Sequence, residues 1–126
     1  MFKPLSLPPA KDFLRWLRPW RLDPFVTQVN HELKLREAYR EQIRNVWRLD
    51  HTINPEEAFA VLGLLKSELR WKTDLFLPQD PLATIFYSDG MDSLATVEVV
   101  LSIESELKRD VPDDFGPTLA GLLKNR

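Results

Sequence analysis

The stretch Y87-S-D-G-M-D-S-L-A-T-V-E-V-V-L-S-I-E-S-E-L107, residues 87–107, decides how this chain is read. Its second half is helical in pattern. At about 100° per residue, Thr96, Val99, Val100, Ile103 and Leu107 share one side, which is wide enough to serve as a core face. Leu94, Val97 and Leu101 fall at i, i+3 and i+7 on a separate apolar stripe bordered by Glu98 and Glu104. One core face is enough to pack a helix, so the second stripe calls for a different occupant. Ser93 stands where this helix begins. A serine there can act as a nucleophile, as a helix cap, or as an attachment point whose substituent is favoured by the unpaired N–H groups of the first turn.

Composition narrows the choice. The chain has 126 residues, 44% of them hydrophobic and 29% charged, which suits one domain with a real core and an extension. It holds no cysteine and only two histidines, His31 and His51. No disulfide framework, thiolate metal site or cysteine nucleophile can therefore be built, and no metal site is expected. No run of about eighteen apolar residues is available to span a bilayer, and the start lacks a secretory pattern. A cytoplasmic protein with no membrane span is expected, and nothing in its charge pattern suggests a nucleic-acid partner. The net charge of −2 conceals an asymmetry: residues 1–50 hold 10 basic and 6 acidic side chains, and residues 51–126 hold 7 and 13. The two parts have different jobs or face each other.

Three regions follow. Residues 1–23 form an arm rich in proline, tryptophan and arginine, with Pro4, Pro8, Pro9 and Pro19 leaving room for one short helix over 11–17. Its Trp16 and Trp20 call for cover by the rest of the chain. Residues 24–50 form a basic helical extension, with Asp23 as cap and Pro24 at the first helical position. No breaker follows until Asn54-Pro55, so one long helix over 24–49 is expected. On it Arg36, Arg40, Arg44 and Arg48 recur every four residues, either as a solvated face alongside Glu32, Glu37 and Glu41 or as a dock for an acidic surface, including the acidic part of this same chain.

Residues 51–126 carry the rest of an all-α fold. Asn54-Pro55-Glu56-Glu57 starts a helix that places Ala58, Leu62, Leu65 and Leu69 on one face up to about residue 72. Residues 73–91 read as a long loop pinned to the core by Phe76, Leu77, Leu82, Ile85 and Phe86. Helices over about 92–108 and 117–124 follow.

The run DSLATVEVVLSIESEL, followed by VPDD, resembles the second helix of acyl carrier proteins: Asp-Ser-Leu, then Thr-Val-Glu, then a Glu-rich end and a Val-Pro-Asp turn. More loosely the resemblance covers residues 54–126; it does not extend to residues 1–50. It implies a small helical bundle of the acyl-carrier type over 51–126. It further implies that Ser93 carries 4′-phosphopantetheine, attached by a phosphopantetheinyl transferase that takes the group from coenzyme A. Asp92 and Leu94 would belong to the surface that transferase reads. Val97, Glu98, Leu101 and Glu104 match positions at which carriers meet acyl-transferring or condensing enzymes, in fatty-acid, polyketide or related biosynthesis. The prosthetic thiol would then supply what a chain without cysteine lacks, and the protein would be a carrier without catalytic residues of its own.

The match departs from the usual pattern in places. Ser88-Asp89-Gly90-Met91 replaces the usual Leu-Gly before Asp-Ser-Leu, Ala95 and Ser105 stand where many carriers have acids, and the tail is short. Two related readings stay open. Asp89-Gly90-Met91-Asp92-Ser93-Leu94 is also similar to the corresponding run of D-alanyl carriers, and a carrier-like fold can serve as an unmodified protein-binding module. A serine hydrolase lacks support, because no histidine follows Ser93 to act as its base.

Overall fold

The computed structural model describes residues 3–8, 23–89, 93–111 and 116–124, with side chains at all of these except 88, 89 and 93–96. The helix expected over 11–17, with Trp16 and Trp20, lies outside the described residues. The fold is all-α: six α-helices and two short 3₁₀ turns, with no strand among the described residues.

Helix α1 spans Pro24–Leu35. The Asp23 carboxylate accepts from the Phe25 N–H at 2.9 Å, and Pro24 occupies the first position, where a missing N–H costs nothing. Phe25, Val26, Val29 and Leu33 line its buried side. The expected single helix over 24–49 is interrupted here. Arg36–Tyr39 form a 3₁₀ turn, and α2 runs Arg40–Leu49. Four residues advancing at about 120° instead of about 100° rotate the following helix by about 80°. Ile43 and Trp47 of α2 are both fully buried, Trp47 in the same core cluster as Leu33 and Ile43 in a second one with Leu75 and Leu77.

Helix α3 spans Pro55–Leu69 and begins as the sequence predicts. Asn54 Oδ1 accepts from the N–H groups of Glu56 and Glu57, at 2.9 and 3.4 Å. Ala58, Val61, Leu62, Leu65 and Leu69 are buried, and the helix stops at Arg70 in the left-handed region, φ 63°. The segment after it is held from within: Trp71 Nε1–H donates to Ile85 O and Trp47 Nε1–H to Phe76 O, each at 2.9 Å. Phe76, Leu77, Leu82, Ile85 and Phe86 are all buried, as expected of a pinned loop. Part of that loop is itself helical, α4 over Leu82–Ile85 followed by a 3₁₀ turn over Phe86–Asp89.

Helix α5 spans Ser93–Leu107 and packs on α3; α6 spans Leu119–Leu123. Backbone bonds from Leu82 N–H to Pro117 O and from Leu119 N–H to Asp80 O bind the chain before α4 to the start of α6. Val29, Leu33 and Trp47 belong to the same core cluster as Leu65, Ile85, Ile103 and Leu122. The stretch 24–50 therefore shares one core with residues 51–126.

The arginine row divides. Arg36 is buried and makes a forked ion pair with Asp80, so for it the solvated reading gives way to a contact with the acidic part of the same chain. Arg40 lies 3.7 Å from Asp74 near the surface. Arg48 stays exposed with Glu41 and Asn45.

Candidate functional site

Helix α5 separates its two apolar faces in space. Val99, Ile103 and Leu107 are buried against the core and Val100 is half-buried on it. On the other side Val97 is 51% and Leu101 57% exposed, with Glu98 exposed between them along the chain. Val97 and Leu101 are thus an open aliphatic pair on a helix with three glutamates and no basic residue.

Ser93 is the first residue of α5, so it precedes the exposed pair by one and two helical turns. No acidic residue occupies that first turn. The start of a helix favours negative charge in general, and Asp92 stands directly before Ser93 in the sequence. The side chains of Ser93 and Leu94 fall outside what is described, as does Asp92 altogether.

Glu104 has a structural role that the sequence did not announce. It is half-buried, and its carboxylate accepts from the Val111 N–H at 2.7 Å, while its carbonyl accepts from Arg109 N–H at 3.3 Å. Glu104 thereby folds the chain back at the end of α5, beside Lys108 at φ 56°. Arg109 extends this junction, reaching Leu123 O at 3.2 Å and Glu57 at 3.4 Å. Glu98 has no such duty, and its side chain stays open to solvent.

Other concave surfaces lie elsewhere. Grooves of about 260, 270 and 450 Å³ open beside α1 and α2, and none of the three is lined by a residue of α5. Among the described residues no cluster of three His, Asp or Glu side chains could hold a metal ion, and no helix is long and apolar enough to cross a membrane.

No family model, curated protein or solved structure matches this chain.

Proposed function

We propose that this chain is an acyl carrier protein in which Ser93 bears 4′-phosphopantetheine. The observation that carries the reading is the exposure of Val97 and Leu101 on the helix that Ser93 opens, with the opposite face buried against α3. The Asp-Ser-Leu-Ala-Thr-Val-Glu run supplies the independent support of a sequence pattern. The prosthetic group would contribute a thiol that holds an acyl chain as a thioester. The chain's own contribution is to hold the phosphate at a helix start and to offer Val97, Glu98 and Leu101 to partner enzymes. A phosphopantetheinyl transferase and acyl-transferring or condensing enzymes are the partners, and the work is cytoplasmic. The protein supplies position and recognition and catalyses nothing itself.

The test is intact mass after incubation with coenzyme A and a broad-specificity phosphopantetheinyl transferase. Wild type gains one phosphopantetheine and Ser93→Ala gains none. No gain on the wild type overturns the carrier reading and leaves a binding module that uses the same exposed stripe. If loading occurs, offering acyl and aminoacyl donors with their activating enzymes separates an acyl carrier from a D-alanyl type.

A further inference from the structure

The 3₁₀ turn Phe86–Asp89 comes directly before Gly90-Met91-Asp92-Ser93 in the chain, and it packs on both α3 and α5. Within it Tyr87 is 2% exposed. Its hydroxyl donates to Asp23 Oδ2 at 3.0 Å, across 64 residues of sequence, and its ring meets Phe25 edge-on with 4.7 Å between centroids. Asp23 is 4% exposed, and its Oδ1 accepts from the Phe25 N–H at 2.9 Å to cap α1. One buried carboxylate thus starts α1 and also grips the turn that precedes α5.

A buried phenol needs an acceptor, but a neutral backbone carbonyl would satisfy it. The acceptor here is the side chain that also caps α1, so the bond ties the turn before α5 to the start of another helix. The bond also joins elements that the carrier pattern does not join, since residues 1–50 lie outside it. The arrangement exceeds what packing Tyr87 requires.

We propose that Asp23 and Tyr87 are positioning residues for Ser93: by holding the Phe86–Asp89 turn against α3 and α5, the start of α1 sets how the serine is presented to the enzyme that modifies it. This rests on the carrier reading of Ser93. The N-terminal helix is then part of the modification site's support, and whatever displaces it slows loading.

The experiment uses the full chain, three single variants and the Tyr87→Phe/Asp23→Ser double variant. Tyr87→Phe keeps the ring and its contact with Phe25 and loses only the hydroxyl. Asp23→Ser keeps a capping side chain but cannot reach Tyr87. Asp23→Asn keeps both a cap and a hydrogen-bonding partner for the phenol. Loading is followed by intact mass to give kcat and KM for the carrier, alongside hydrogen exchange of the α5 amides and thermal denaturation. Tyr87→Phe and Asp23→Ser are expected to load with kcat/KM roughly tenfold lower and faster exchange in the first turn of α5. The double variant is expected to be no slower than the slower single, because both substitutions remove the Asp23–Tyr87 bond, and Asp23→Asn recovers most of the rate. A lowered melting temperature with unchanged kcat/KM and unchanged α5 exchange would overturn the proposal, since it would mark a merely structural bond. Failure of the wild type to load would overturn the carrier reading and this proposal's link to modification, and α5 exchange in the two variants would then decide the coupling alone.

Discussion

Arg36 and Asp80, 44 residues apart, meet as a forked ion pair inside the protein: Arg36 Nη1 donates to Asp80 Oδ2 at 2.7 Å and Nη2 to Oδ1 at 2.9 Å. Both side chains make further bonds. Asp80 also accepts from the N–H groups of Leu5 and Leu77, and Arg36 also donates to the carbonyls of Leu75 and Lys3. Three distant pieces of chain, residues 3–5, the start of the 3₁₀ turn and the loop before α4, are fastened at this one point.

Asp80→Ala is therefore expected to be among the most destabilising single changes in the protein. It leaves a buried guanidinium without its counter-charge and the Leu5 and Leu77 N–H groups without their acceptor, and breaking a buried pair from one side costs about 3–5 kcal/mol. Arg36→Lys keeps the charge but cannot form the fork, and should cost about 1–3 kcal/mol. Urea denaturation of both variants checks the order. Equal, small losses would mean that the pair contributes little beyond what water would give these groups.

What the sequence made legible follows from how local each signal was. Asp23-Pro24 and Asn54-Pro55 are complete start signals within two residues, and α1 and α3 begin where they stand. The buried face of α5 repeats at helical spacing within one segment, and Val99, Ile103 and Leu107 are buried accordingly. The 3₁₀ turn at Arg36–Tyr39 contains no glycine or proline, so nothing local marked it. Arg36 looks the same as Arg40, Arg44 and Arg48 in a four-residue repeat; only its partner 44 residues away separates it. The Tyr87 bond to Asp23 and the return of Glu104 to Val111 are invisible for the same reason, being side-chain choices that depend on the assembled fold.

The two faces of α5 should respond oppositely to substitution. Val97→Ser with Leu101→Ser removes side chains that are already about half in water, so the change in stability should be small, about 0.5 kcal/mol or less per site. Ile103→Ala empties a fully buried position and should cost about 2–5 kcal/mol. Thermal denaturation gives the stabilities, and the rate of loading by the transferase gives the effect on docking. The Ser pair is expected to slow loading while the fold stays intact. Normal loading by a folded Val97→Ser/Leu101→Ser protein would remove the stripe from the docking surface.

Arg70 and Lys108 end α3 and α5 with φ of 63° and 56°, a conformation that favours glycine. Both side chains are exposed. Arg70→Gly and Lys108→Gly should each raise stability by a few tenths to about 1 kcal/mol, because relief of left-handed strain outweighs the extra freedom glycine has when unfolded. The alanine variants serve as controls, since they remove the same side chains and keep the strain. A rise in melting temperature for glycine and not for alanine is the expected pattern; equal effects would trace the gain to the lost charge.

In the turn between α2 and α3, Asp50 Oδ1 accepts from the Thr52 hydroxyl at 2.6 Å and from the Thr52 N–H at 2.9 Å. The hydroxyl bond, then the backbone bond, hold the Asp50 carboxyl below its ordinary range, with smaller help from Lys124 and His51 and with burial opposing. Because the folded value is the lower one, the ionised form favours the folded state. The contribution is in place above the unfolded value, about 3.9 for aspartate, and disappears as pH falls through the folded value. Asp50→Asn should flatten the loss of stability below about pH 4 without changing the slope near neutrality. Thr52→Val deletes the larger of the two bonds and keeps the N–H, so the Asp50 titration followed by carboxyl NMR should move back up toward the ordinary value. An unmoved titration in Thr52→Val would transfer the cause from the hydroxyl to the backbone donor.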